Sequence, residues 1–302
     1  MTDLHLRAGT AARPGWRTWI DPARAGWAYS GLGVTDPAAT DVELRLDADE
    51  ALVLPLSGAA TVHVHDGEMY ELVGRRDVFA GPSDALYLPR GTTARLTGHV
   101  AVATARVADL DESAGRSGPD HSTDGVAYLP ASAVGVELRG AGQASRRVQD
   151  YTIDAGPAAG VRTRRLLVCE VVTPGGNWSS YPPHKHDAHA EDERELEEIY
   201  AFVVADSPAG EPGLAYHRVY GDSPPIDLLA EVRSGDVVLV PHGYHGPSMA
   251  APGYDLYYLN VMAGPVADGR WLAVDDPTHA WVRRTWGDQE PDPRARLEEE
   301  VR

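Results

Sequence analysis

The sequence predicts an all-β protein made of two related halves, and three observations predict it. Glycine (31 residues) and proline (23) are abundant while phenylalanine is scarce. Apolar residues fall in short runs between turn signals, the pattern of strands and not of helices. One octet occurs twice, half a chain apart: Asp84 to Gly91 and Asp236 to Gly243. A chain of 302 residues also exceeds one compact domain and implies two of about 150 residues. Its 43% hydrophobic and 24% charged content is that of an ordinary globular protein.

The strand signals run in order through Leu52 to Leu56, Thr61 to His65, Ala85 to Leu88, Leu166 to Cys169 and Val237 to Val240. Between the halves, Glu112 to Asp120 is small, polar and turn-forming, so it reads as a linker and divides the chain into residues 1–125 and 126–302. Helix is sparse, and the charged tail Arg294 to Arg302 is its best candidate. Each octet is an acid, four apolar residues, proline, one residue and glycine. This is a buried strand running into a tight turn, and its recurrence indicates an internal duplication.

Composition excludes several functions. A net charge of −18 repels nucleic acid and anionic membranes. It still admits a small anionic substrate, because a few arginines reverse the potential inside a pocket. The single cysteine, Cys169, excludes an intramolecular disulfide, and its apolar run implies a buried, inert thiol. Met1 to His5 lacks a basic segment followed by an apolar one, and no stretch is long and apolar enough for a membrane span, so the expectation is a cytoplasmic protein.

The residues that bear chemistry cluster in the second half. In His184-Lys185-His186 a strand puts both imidazoles on one face and Lys185 on the other, which makes half of a metal site if further ligands arrive from neighbouring strands. A carboxylate comes from the strand-like Leu196 to Phe202, and a third histidine, His245, follows the turn at Pro241-His242-Gly243. Glu191, Glu193, Glu195, Glu197 and Glu198 all lie nearby, and most of that run reads as solvated charge. On a strand Glu198 shares a face with Tyr200 and Phe202, and Glu197 with Ile199 and Ala201; parity separates the two without saying which face is inward. The first half lacks the set. Thr93 stands at the place of His245, and His63 and His65 follow the strand Leu52 to Leu56, where they read as surface or strand-edge histidines.

Glycine, His-x-His, a glutamate, then Gly235 to Pro241-x-Gly243 with a nearby histidine resembles the two-part signature of the cupins. Two spacings depart from it: the loop between His186 and the glutamate is long, and His245 follows Gly243 by two positions instead of three. Thr173 to Asp187, Leu196 to Tyr200, Gly235 to His245 and Tyr254 to Pro265 resemble the 5-deoxy-glucuronate isomerase family more closely, densely in the second half and loosely in the first.

The resemblance implies a bicupin of two jelly-roll barrels, the second holding one divalent metal through His184, His186, His245 and a glutamate. Related uronate isomerases place that glutamate two residues before an aromatic, which selects Glu198. Zinc is the expected ion, with manganese and iron compatible with the same ligands. The implied reaction turns 5-deoxy-glucuronate into 5-dehydro-2-deoxy-gluconate in inositol breakdown, an aldose–ketose isomerisation through an enediol, in a homo-oligomer. Tyr200 and Tyr181 are candidates for the proton-transfer group, and Arg165, Arg218 and Arg270 for binding the substrate carboxylate. A metal-dependent cupin dioxygenase and a non-catalytic sugar-binding bicupin are the alternatives.

Overall fold

The computed structural model describes residues 3–65, 67–110, 125–153 and 161–297. Its first strands are β1 (His5–Leu6), β2 (Trp16–Ile20), β3 (Ser30–Thr35), β4 (Val42–Arg45), β5 (Asp49–Val64), β6 (Met69–Arg75) and β7 (Ala85–Leu88). There follow β8 (Thr93–Arg106), β9 (Ala127–Leu129), β10 (Gly135–Arg139), β11 (Arg146–Asp150), β12 (Leu167–Thr173), β13 (Trp178–Ser179) and β14 (His184–Lys185). The last are β15 (Glu197–Val204), β16 (Ala215–Asp222), β17 (Pro225–Val232), β18 (Val237–Val240), β19 (Tyr244–Ala250), β20 (Leu256–Ala263) and β21 (Val274–Asp275). The expected linker, Glu112 to Asp120, lies outside the described residues. Of the expected helical tail, the described part holds only a 3-10 turn at Pro293–Ala295. No helix of the described residues is long and apolar enough to cross a membrane.

One sheet, in the order β2-β3-β8-β5-β7-β9 with β4 on β8 and β6 on β5, forms the first half. Its interior is apolar, filled by Val53, Val62, Leu86, Leu96 and Val102 among others. The second half has two sheets, β1-β18-β15-β20-β12-β11-β10 and β17-β16-β19-β14-β21. Between them lies a core that includes Leu167, Tyr200, Phe202, Val219 and Tyr258. Both ends of the first half cross a division at residue 125: β1 pairs with β18, whereas β9 pairs with β7.

The repeated octets form β7 and β18, each second from the edge of its sheet. Leu88 faces Ala51 across the β5 ladder, and Val240 faces Glu198 across the β15 ladder, so Ala51 and Glu198 hold equivalent places. A third core joins the halves back to back, with Leu52, Leu54 and Ala103 of the first packed with Leu166, Ile199, Leu259 and Val261 of the second. Alternation therefore sends Ile199 to the interface and Glu198, Tyr200 and Phe202 into the second barrel.

The residue before each equivalent position clamps the other half. Glu197 accepts the backbone N–H groups of Ala28 (2.6 Å), Tyr29 (2.8 Å) and Ser30 (2.8 Å). Glu50 accepts those of Arg164 (2.8 Å), Arg165 (2.7 Å) and Leu166 (2.8 Å), with the Tyr87 hydroxyl at 2.9 Å. A buried ion pair crosses the same interface: Arg75 reaches Glu170, which also accepts from Gln149 (2.7 Å) and the hydroxyls of Tyr151 (3.0 Å) and Tyr257 (2.6 Å).

Candidate metal centre and its cavity

The short strand β14 is held between β19 and β21, with His184 directly opposite His245. Lys185 points away, as alternation requires, and binds Asp187 (2.6 Å) and Glu193 (2.8 Å). Glu193 also accepts the N–H groups of Asp187 and Ala188 and is buried, so it closes the long loop after His186 and is not one of the solvated charges expected of this run. Asp187 in turn accepts the Gly243 N–H at 2.8 Å. Gly243 has φ 85° and its missing Cβ would lie 2.8 Å from the Tyr220 carbonyl oxygen; only glycine makes this turn, which aims His245 inward.

His186, Glu198 and His245 are all buried, and one ligand atom of each lies within 4.8 Å of the others. Glu198 Oε2 is 2.9 Å from His186 Nε2 and 3.0 Å from His245 Nε2. The imidazole tautomers follow from the carbonyls behind them. Nδ1 of His186 lies 3.1 Å from the Leu196 carbonyl, that of His245 3.3 Å from Gly243, and that of His184 3.4 Å from Pro182. A carbonyl only accepts, so each Nδ1 bears the hydrogen and each Nε2 is left with a bare lone pair. Lone pairs of His186 and His245 thus face a carboxylate oxygen, an arrangement that needs a cation or a proton between them. Nε2 of His245 is buried and makes no hydrogen bond. These residues fit a divalent metal by donor chemistry. The His184 ring lies 4.5 Å from that of His245, next to the group but outside its 4.8 Å spread.

Burial alone would raise the Glu198 carboxyl, but protons on His245 and His186 would hold it far below the usual range. Burial and its two imidazole neighbours push His184 well down. His217, on β16 and also fully buried, is pushed down to about 3 by burial and by His245; its Nδ1 is 2.7 Å from Ser248 Oγ.

A cavity opens onto His184 and Glu198. The ladders place Asp150, Cys169, Asn260 and Tyr200 in one row across β11, β12, β20 and β15, and all four line it. Tyr200 is buried, its ring 4.4 Å from that of His217 and its hydroxyl 3.2 Å from Ser180 Oγ; burial and Glu198 push its pKa well up, which makes it a proton holder and not a base. Asp150 is pushed up to about 6, chiefly by burial. The cavity also receives Arg139, Arg146 and Arg283.

The other expected residues lie elsewhere. Tyr181 packs against Trp178 (ring centroids 5.4 Å) in a separate cavity beside Trp286. Arg165 is buried between the halves, bound to Asp109 (2.7 Å) and stacked over Tyr29 (4.3 Å), because it precedes β12 on the side of the first half. Arg218 faces outward on β16, between inward His217 and Val219, and pairs with Asp227. Arg270 is exposed in the loop before β21 and does not line the cavity. Sequence reasoning missed Arg139, Arg146 and Asp150, since no motif covers β10 and β11, and gave no role to Asn260 within the Tyr254 to Pro265 segment. The one signal was the run Arg146-Arg147-Val148-Gln149-Asp150, a strand too polar for its complete burial.

The first half has no counterpart of this centre among the described residues. Thr93 faces Arg45 where His245 faces His184, and Ala51 holds the place of Glu198. His63 and His65 are exposed. Two barrels, one apolar and one with a buried histidine–carboxylate cluster, define a bicupin with a single candidate metal centre.

Residues 4–282 match the KduI/IolB family, and the chain belongs to that family. The 5-deoxy-glucuronate isomerase of Geobacillus thermodenitrificans is 41% identical over 268 residues, covering 87% of this chain and 89% of that one. That of Bacillus subtilis strain 168 is 36% identical over 240 residues, covering 79% and 81%. Among solved structures, an IolB-like protein of Salmonella typhimurium LT2 superposes with a TM-score of 0.78 at 33% identity, covering 93% of this chain and 99% of that one. Bacillus subtilis oxalate decarboxylase, a protein described with Mn(II) centres, shares the fold with a TM-score of 0.55 at 11% identity, covering 91% of this chain and 80% of that one.

Proposed function

We propose that this protein isomerises 5-deoxy-glucuronate to 5-dehydro-2-deoxy-gluconate, with a divalent ion, zinc by preference, held by His184, His186, Glu198 and His245. The observation that carries the reading is the convergence of the His186 and His245 lone pairs on Glu198, with His184 alongside, at a cavity that also receives Arg146, Asp150 and Tyr200. Such an ion supplies Lewis-acid polarisation of the reacting carbonyl and its neighbouring hydroxyl.

The chain's own residues do the rest. Isomerisation moves one proton from C2 to C1 and another from the C2 hydroxyl to the C1 oxygen, with no net redox change. Asp150, with a carboxyl near 6, is suited to take the carbon-bound proton and return it to the adjacent carbon. Tyr200 and Tyr258, both bonded to Ser180, form a wall of hydroxyls that orients the sugar. The first half serves as a metal-free buttress, locked on by Glu50, Glu197 and the Arg75–Glu170 pair. The test is conversion of the aldehyde acid to its ketose isomer by the metal-loaded protein under anaerobic conditions, followed by mass spectrometry. A product of unchanged mass is expected; oxygen consumption or binding without turnover would overturn the reading.

A further inference from the structure

Three guanidinium groups reach the cavity, and they are not equivalent. Arg139 is held by Glu137 at 2.7 Å and Arg283 by Asp275 at 2.7 Å, both with partly exposed side chains. Arg146 is 6% exposed and, among the described residues, has no carboxylate partner. Its Nη1 donates to the Ala144 carbonyl at 3.1 Å, and its Cζ lies 5.7 Å from the Trp286 ring. A buried cation without a counter-anion is among the most unfavourable placements in a protein, and the like charges of Arg139 and Arg283 nearby worsen it. Burial accordingly lowers Arg146 to about 10.

A second polar group of the same cavity is also incomplete. The Asn260 side chain is 4% exposed, and its Nδ2 donor has no acceptor. This cavity therefore holds an amide donor without an acceptor at Asn260 and a guanidinium with no bonded carboxylate at Arg146. A sugar acid supplies both: a planar carboxylate that matches the guanidinium fork, and hydroxyl oxygens for an amide donor.

We propose that Arg146 is the carboxylate anchor of this site. The inference rests on the sugar-acid reading above and gives it a direction, with the reacting carbonyl at the His/Glu cluster and the acid end of the chain at β11. It makes the cavity selective for open-chain sugars that bear a carboxylate at the end remote from the carbonyl, against neutral sugars of the same length.

The test uses the full-length, metal-loaded protein and its Arg146→Gln and Arg146→Lys variants. Substrates are 5-deoxy-glucuronate and its neutral methyl ester, and gluconate is the unreactive probe of binding. Wild type should prefer the acid to the ester by about 100-fold in kcat/KM, the scale set by a buried charge pair. Arg146→Gln should level the two, with activity on the acid falling far more than activity on the ester. Without ligand that variant should melt at or above the wild-type temperature, because a buried unpaired charge has been removed. Gluconate should raise the melting temperature of wild type and not of Arg146→Gln.

Retention of the acid preference by Arg146→Gln would overturn the assignment. So would a lower melting temperature with equal losses on acid and ester, which is the signature of a merely structural arginine. If Arg146→Gln does not fold, Arg146→Lys decides: charge without the fork should raise KM for the acid by about tenfold with kcat little changed, and an unchanged KM would overturn the assignment. Absence of turnover by wild type would defeat the isomerase reading alone, since gluconate binding that depends on Arg146 would still support the anchor.

Discussion

Glu197 and Glu198 are adjacent in sequence and face opposite sides of one strand, so the same substitution at each should give opposite phenotypes. Glutamine for Glu198 replaces a carboxylate whose oxygen sits 2.9 and 3.0 Å from two imidazole nitrogens. The neutral amide is a poor ligand. Loss of an outer partner of a ligand already costs about 10–100-fold in metal affinity, so loss of a direct one should exceed about 100-fold. Glutamine for Glu197 removes the acceptor of three backbone N–H groups of the first half. One amide oxygen cannot serve all three, and at least one donor is left against the new NH2. The site is partly solvated, which reduces the loss to about 1–3 kcal/mol. Across a chain of this size that is a fall in melting temperature of about 2–5 °C. Metal per chain by elemental analysis and thermal unfolding by circular dichroism should be measured on both variants. Glu197→Gln should keep its metal and melt early; Glu198→Gln should lose its metal and its activity. Equal metal loss from both would refute the assignment of faces and imply a bulge in β15.

Other outcomes follow from the same geometry. Burial raises Asp150 to about 6, so kcat/KM should rise with pH through about 6, and Asp150→Asn should lose that limb along with 10²-fold or more of the rate, by about the usual weight of acid–base catalysis. The sign for stability is opposite: the folded carboxyl binds its proton more tightly than the unfolded one at about 4, so the stability it contributes is full below about 4 and lost as pH rises through about 6. His245→Ala should bring bound metal well below one per chain, while Thr93→Ala leaves metal content unchanged; more than one tightly bound ion in wild type would contradict a single centre. Chelation should abolish turnover but preserve the β-sheet circular dichroism, because the three apolar cores do not involve the ion; global unfolding would make the metal structural. Glu170→Gln, which leaves Arg75 buried and unpaired, should cost about 3–5 kcal/mol by urea denaturation without altering metal content.

Metal-ligand candidates were legible where local geometry sufficed. His184-x-His186 and the Pro241-x-Gly243 turn place side chains by strand alternation and one left-handed glycine, both fixed within a few residues. The carboxylate was legible only to within a pair, because alternation gives two faces and the burial of one requires knowing what packs on the other. Ile199 beside Leu259 and Val261 at the interface between halves supplies that information. The arginines were not legible at all. Arg165 is close to the motifs along the chain yet sits between the halves, and Arg146 lies far from them along the chain yet lines the cavity, since antiparallel ladders bring β11 beside β12 and β20.

By itself, then, the sequence determined the β class, the repeated octet, the asymmetry of histidines between halves, and the local turns that present His184, His186 and His245. Those are consequences of periodicity and of backbone angles, which act over short distances along the chain. Tertiary structure decided which glutamate turns inward, that Glu197 and Glu50 fasten the halves together, and that Arg146, Asp150 and Asn260 share a cavity with the histidine cluster. Those facts depend on strand register and on the packing of one sheet against another, where residues far apart in sequence become neighbours, and no local pattern encodes them.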